Sequence, residues 1–428
     1  MSADDRNWPI ATLGAHVDLL VGFPFKSNQF TDRPVDIPLV KGSNIHQGCI
    51  DWQHAKRWPA GDADGYRKFE LRPGDVVVAM DRPWIDAGLK WAWIRPGDPS
   101  SLLVQRVARL RGMDGLSTGF VRYLIGGPGF TDYIKPIVTG VTVPHISADQ
   151  VRSFRFALPP ICEQEKIAAV LSAYDDLIEN NRRRIGILEA MAQRLYREWF
   201  VHFRYPGHEK ARLVDSPLGK IPEGWEVVTI ADAFEIVGGG TPSKRNGEYW
   251  TDGTINWYTP SDLTGAGRMF MDESSLKINE LGLKRSSARL FPSRSVMMTS
   301  RATLGVISIT RTAASTNQGF ITCIPNEAFP AFYLYFWLRA NTQTFVNMSS
   351  GATFKEISKS VFKTIKILNP KRLTVAAFEK TVRPMAEHIE NLERRNTVLR
   401  QARDLLLPKL ISGEVDVRAL DIRTEAAP

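Results

Sequence analysis

Leu177-Ile178-Glu179-Asn180-Asn181-Arg182-Arg183-Arg184 has a partner later in the chain, His388-Ile389-Glu390-Asn391-Leu392-Glu393-Arg394-Arg395. The shared Ile-Glu-Asn triplets stand 211 residues apart. A period of that size is too long for a solenoid or a propeller, whose unit is one supersecondary element. It indicates a duplicated domain together with a duplicated helical segment. A duplicated binder suits a ligand with two separate half-sites.

Working outward, each copy lies in an apolar pattern that advances by three and four. The first runs Leu171, Tyr174, Ile178, Asn181, Ile185, Leu188, Ala192, Leu195, Trp199; the second runs Val382, Met385, Ile389, Leu392, Asn396, Leu399, Arg403, Leu406, Leu410. Both read as coiled-coil seams of about four heptads. Glu179, Arg182, Arg183 and Arg184, and their counterparts Glu390, Glu393, Arg394 and Arg395, read as a solvated face beside the seam. Pro159-Pro160 precedes the first helix and Pro206-Gly207 ends it. The simplest arrangement pairs the two seams antiparallel, because a long globule separates them in sequence. Asn181 and Asn396 are polar within the seams. They either pair and fix register or lie where solvent reaches them.

The segments before each helix match in layout. Val21-Gly22-Phe23-Pro24 corresponds to Val237-Gly238-Gly239-Gly240-Thr241-Pro242, and Ile37 to Asn44 to Ile255 to Asp262. Val76 to Met80 followed by Asp81-Arg82 corresponds to Val296 to Thr299 followed by Ser300-Arg301. Aromatic runs at Phe120–Ile125 and Phe332–Leu338 follow. Then come Gly140 to Ser147 and Gly351 to Ser358, and β-rich runs at Phe154–Leu158 and Thr364–Leu368. Short β-branched runs punctuated by Gly and Pro, with an occasional helix, predict an α+β chain. Two similar mixed α/β domains are separated by two long helices in an antiparallel coiled coil, an internal pseudo-twofold repeat. The expected boundaries are 1–160 and 206–370 for the domains, 161–205 and 371–428 for the helical spacers.

The chain has 428 residues, long enough for two to three domains. Its formal charge of +9 suits a polyanionic partner. Cys49, Cys162 and Cys323 have no pairable spacing, and the acidic N-terminal stretch lacks an apolar core, so a reducing, cytoplasmic location is expected. No apolar run reaches membrane-spanning length.

The sequence resembles the specificity (S) subunits of type I restriction-modification enzymes. The resemblance is carried by Glu163-Gln164-Glu165-Lys166-Ile167-Ala168, Leu171-Ser172-Ala173-Tyr174-Asp175, Leu177 to Asn181, Leu195-Tyr196-Arg197-Glu198-Trp199-Phe200-Val201 and Ser216 to Glu226. It covers nearly the whole chain and departs from the pattern at Arg403, a charged residue in a seam position. The resemblance implies two target-recognition domains that each read half of a split double-stranded DNA site, held apart by the helices as a ruler. It implies methyltransferase subunits, two of them, that use S-adenosylmethionine, and restriction subunits that use ATP and Mg. This chain would be non-catalytic and hold no cofactor or metal. From Leu171 to Trp199 the helix would span roughly 42 Å at about 1.5 Å per residue, near the one-turn spacing of about 34–36 Å between paired major-groove readers.

Catalytic signatures are missing from the sequence. No Walker A run occurs, and Asn369-Pro370-Lys371 lacks the aromatic residue of a methyltransferase pocket that holds a flipped base. Gly126-Gly127-Pro128-Gly129 and Gly238-Gly239-Gly240 read as turns rather than cofactor loops. His46, Cys49 and His54 lack a fourth metal ligand at sensible spacing. Trp84, Trp91 and Trp93 alternate as a β face. The expected DNA contacts lie on three loops that recur in both halves with different side chains. In the first half they are Lys41, Ser43 and Asn44, then Arg82, then Thr142 and His145. In the second they are Thr259, Ser261 and Asp262, then Arg301, then Thr353 and Lys355. Each also has a plainer reading as a turn or surface residue, as do Lys244-Arg245 and Lys284-Arg285. The alternatives to a type I subunit are the specificity partner of a fused, type IIG-like enzyme and a coiled-coil scaffold that binds no DNA.

Overall fold

The computed structural model describes residues 8–85, 88–138, 144–301, 303–351 and 355–422. The chain forms two compact units, residues 1–178 with 398–428, and residues 179–397. Each long helix therefore contributes its two ends to different units.

In the first unit a sheet runs in the order Val17–Val21, Val107–Gly112, Val76–Ala79, Trp91–Trp93, with antiparallel neighbours. The strand Val76–Ala79 is buried along its whole length, so it needs apolar residues on both faces. A second sheet contains a parallel pair, Ile37–Val40 beside Ser101–Leu103. The second unit repeats this plan. Its sheet runs Ile236–Gly238, Phe320–Cys323, Val296–Thr299, Ile307–Thr310, Phe270–Met271. Its second sheet again has a parallel pair, Ile255–Tyr258 beside Ala314–Thr316. An antiparallel pair joins an early strand to the last strand of each globule: Ile10–Thr12 with Arg155–Ala157, and Glu226–Thr229 with Lys366–Asn369. The aromatic runs are helices, Thr118–Gly126 and Ala331–Asn347.

Two glycines show how closely the frames agree. A Cβ on Gly22 would lie 2.3 Å from the carbonyl oxygen of Val104, and one on Gly239 would lie 2.0 Å from that of Asn317. Val104 and Asn317 occupy the same place: their amides donate to Val40 and Tyr258 at the ends of the parallel strands. Only glycine permits that approach.

The two long helices are Ile161–Phe200 and Arg372–Ile411, 40 residues each and offset by the same 211 residues as the Ile-Glu-Asn triplets. At about 1.5 Å per residue each is about 60 Å long. Inside the first unit Asp175 meets Arg403 and Lys166 reaches the carbonyl of Arg418; inside the second Asn181 meets Asn396 and Arg184 meets His388. In both, rising numbers on the first helix meet falling numbers on the second helix or, at Arg418, on the segment just after it, so the pairing is antiparallel. All the predicted seam residues are buried or half-buried. Asn181 donates to Asn396 at 2.8 Å, both buried, which selects the paired alternative.

Two expectations need correction. The first helix ends at Phe200, not at Pro206-Gly207. Phe203 takes a positive φ of 58° beyond it and packs edge-on against Trp225, so docking of the aromatic residues ends the helix before the proline is reached. Glu390 and Glu393 are not a solvated face. Both are buried: Glu390 pairs with Arg294 and Arg311, and Glu393 with Arg311. Arg403, where the sequence departs from the family pattern, is tied to the first helix, its guanidinium donating to Asp175 at 2.6 Å. Asp175 also accepts the Tyr123 hydroxyl at 2.9 Å and a bond from Arg122. These acidic residues seat the helices on the globules.

Candidate nucleic-acid interface

The three predicted loops come together at one end of each unit. In the first, the turn after Val40 is closed by Asn44, whose Oδ1 accepts the Lys41 N–H at 2.9 Å. Lys90 Nζ donates to the Gly42 carbonyl at 2.7 Å and ties this turn to the hairpin after Asp81-Arg82. Burial and the neighbouring Arg82 charge hold the Lys90 ammonium below its usual range. The third loop is joined through the backbone: Arg82 N–H donates to Pro144 and Ile146 N–H to Met80, both at 2.8 Å. Asp81 then stands between two basic groups, His145 Nδ1 at 2.5 Å and Arg106 Nη1 at 2.5 Å. Burial works to raise its pKa, but the bonds to His145 and Arg106 prevail and hold it below the usual carboxylate range.

The second unit builds the same junction from different side chains. Ile357 N–H donates to Ser300 as Ile146 does to Met80, and Ser300 N–H donates to Gly319 as Met80 does to Arg106. At the bridge, Asp81 and His145 are replaced by Arg301 and Glu356, with Arg301 Nε donating to Glu356 at 2.7 Å. The same backbone link carries an acid–base pair in one unit and a base–acid pair in the other.

The candidates divide accordingly. Arg82, Ser43, Ser261, Arg301 and Lys355 are exposed at the junction, Lys41 is half-exposed there, and His145 is exposed and held by Asp81. Arg82 has a φ of 42°, which turns its side chain out of the strand direction. Asn44 is buried, and its amide also donates to Leu39 and Asp51. Asp262 does the equivalent work: it accepts Thr259 N–H and hydroxyl at 2.7 Å each, and Ser275 N–H at 2.9 Å. Burial opposes its ionisation, yet these donors hold its pKa low. Asn44, Thr259 and Asp262 therefore shape the turns that present the exposed candidates. Thr142 and Thr353 lie outside the described residues.

Sequence reasoning missed Lys90, Arg106, Glu356 and the turns Val104-Gln105-Arg106 and Asn317-Gln318-Gly319. None carries a periodic or motif signal; they are found only by the strand pairing that brings distant segments together. Trp91 and Trp93 are half-buried against the core, and Arg122 lies 3.6 Å over the Trp93 ring, so this face is packed rather than open to bases. Among the described residues no group of three or more His, Cys, Asp or Glu side chains could hold a metal ion, and no helix is long and apolar enough to cross a membrane.

Comparison with known proteins gives this geometry its family. The type I restriction modification DNA specificity domain matches residues 128–190 and 222–372, half of the chain. The MjaIX specificity subunit of Methanocaldococcus jannaschii is 29% identical over 313 residues, covering 72% of this chain and 71% of that protein. The HindI specificity subunit of Haemophilus influenzae is 26% identical over 346 residues, covering 67% and 74%. In fold, the crystal structure of the type I restriction-modification S subunit from M. genitalium matches with a TM-score of 0.56 at 16% identity, over 95% of this chain and 97% of that one. A repeated α+β unit on paired 40-residue helices, with the domain match in both halves, makes this chain a member of the type I restriction-modification DNA specificity family.

Proposed function

We propose that this chain is the non-catalytic specificity subunit of a type I restriction-modification complex, in which each compact unit reads one half of a bipartite duplex site. The observation that carries the reading is the loop junction built twice on one backbone plan with different side chains at the bridge, Asp81–His145 in one unit and Arg301–Glu356 in the other. Two different half-sites need a common frame with different contacts. In this reading methyltransferase subunits, two per chain, use S-adenosylmethionine, and restriction subunits use ATP and Mg; this chain supplies the address. The net charge of +9 favours phosphate contacts that position each unit before bases are read.

The test is binding of the full chain, assembled with its methyltransferase partners, to a library of duplexes at several salt concentrations. The expected result is a preferred sequence in two parts, with affinity that falls steeply as salt rises. Arg301→Ala should relax preference in one part and Arg82→Ala in the other, by about 1 to 3 kcal/mol each if they contact bases. A flat salt response with no preferred sequence would instead favour a scaffold.

A further inference from the structure

Most side chains at the two junctions differ, but a glutamine recurs at the same turn. Gln105 is the middle residue of the three between the strands Ser101–Leu103 and Val107–Gly112; Gln318 is the middle residue of the three between Ala314–Thr316 and Phe320–Cys323. The residue before each donates its N–H to the end of the parallel strand, Val104 to Val40 and Asn317 to Tyr258, both at 3.0 Å. The residue after each accepts from the junction, Arg106 from Met80 and Gly319 from Ser300, both at 2.8 Å. Both glutamines are exposed. Their neighbours differ, arginine in one turn and glycine in the other, and the bridge beside them carries Asp81 and His145 in one unit, Arg301 and Glu356 in the other.

A recurring contact in an otherwise altered surface implies a recurring feature in the ligand. Ser43 and Ser261 recur as well, but a hydroxyl donates or accepts as required and selects no base by itself. A carboxamide is different: its adjacent acceptor and donor match the N6 donor and N7 acceptor of adenine in the major groove. In the second unit the amide is also oriented, because the Thr241 hydroxyl donates to Gln318 Oε1 at 2.6 Å. One lone pair of that oxygen and both Nε2 hydrogens are left for a base edge.

We infer that Gln105 and Gln318 are specificity-determining residues that read the same base, adenine, one in each half-site. The inference rests on the bipartite duplex reading proposed above. Gln105→Ala and Gln318→Ala, tested in the full chain with its methyltransferase partners on the same duplex library, should each relax preference at a single position of a single half-site. That position should be an adenine in both cases, with discrimination reduced about tenfold or more. Placing 7-deazaadenine there should weaken the wild type by about tenfold and leave the matching alanine variant no weaker than on adenine. Unchanged thermal unfolding shows that the variants fold, and Gln318→Glu, which lacks the donor, should lose the same preference. Loss uniform over all sequences, no change, or relaxation at another base overturns the inference and leaves the bipartite reading standing. Absence of any sequence preference in the wild type overturns both.

Discussion

Glu379 shows how one side chain can tie an element to its neighbour and make stability depend on pH. The aromatic helix Ala331–Asn347 starts after Pro330, which has no side chain able to cap its first N–H groups. Glu379, from the second long helix, supplies the missing acceptor: its Oε1 takes the Tyr333 N–H at 2.9 Å. Burial raises its pKa to about 7, against the opposing effect of that N–H bond and of Arg383. Between the usual carboxylate value and 7 the folded chain holds a proton that the unfolded chain has released. Stability should therefore fall as pH rises through this window and level off above it. Glu379→Gln keeps an acceptor and removes the titration, so its unfolding temperature between pH 5 and 8 should be flatter than that of the wild type. An equal slope in the two proteins would show that Glu379 does not titrate there. Glu379 is also a residue the sequence could not assign, because a charge on a helix reads as solvated until its neighbour is known. The same applies to the Ile-Glu-Asn copies. Ile178 and Ile389 are both buried as periodicity demands, but Glu179 is half-exposed near Arg182 and Arg183, whereas Glu390 is buried beside Arg294 and Arg311.

Among the elements, the long helices were the most legible, since a three-four apolar spacing over many turns has few other solutions. The second helix continues through Pro384 and Pro408, although proline ordinarily interrupts a helix. Packing preserves it: Phe378, Val382, Ala386 and Ile389 are buried in one core with Tyr196, Trp199 and Phe200 of the first helix. The strands were legible as runs, but their partners were not, because parallel pairing of Ile37–Val40 with Ser101–Leu103 joins residues far apart in sequence. The Asn181–Asn396 pair allows a direct test at this scale. The Asn181 amide donates to the Asn396 carbonyl oxygen at 2.8 Å in a buried seam. Asn181→Leu alone should cost about 1 to 3 kcal/mol, since it strands a buried amide. The double change to leucine should recover most of that loss or add stability, as paired apolar residues do elsewhere in a coiled coil. Chemical denaturation of the two single variants and the double variant gives the coupling. Additive losses would mean that the two amides act independently.

At the scale of the whole molecule, the repeat includes the way each unit is closed. The segment after the first helix returns to the start of the second globule, where Tyr205 stacks on Trp225 with ring centroids 5.1 Å apart. The segment after the second helix returns to the start of the first globule, where a Cβ on Gly413 would lie 2.9 Å from the Trp8 ring and Val417 is buried in the same core. Each globule thus carries its own core, its own closing strand pair and its own loop junction, while the helix stretches that seat it use acidic residues specific to that unit: Asp175 in the first, Glu390 and Glu393 in the second. It follows that specificity should be exchangeable one unit at a time, provided the seat is respected. A chimera that replaces residues 230–365 with the corresponding segment of a relative of different specificity should change one half of the methylated sequence and leave the other intact. Arg294 and Arg311, whose guanidiniums pair with Glu390 and Glu393 from inside that segment, would need to be kept, as would the backbone N–H at position 269 that donates to Glu393. Without the two arginines Glu393 loses its ion-pair partner and Glu390 keeps only Arg394, and the chimera should be destabilised by several kcal/mol whatever DNA it reads. Mapping methylated sites in cells that carry each chimera separates the two effects. A retained seat with one altered half-site supports independent reading by the two units, whereas simultaneous change in both halves would mean that the junctions are coupled through the helices.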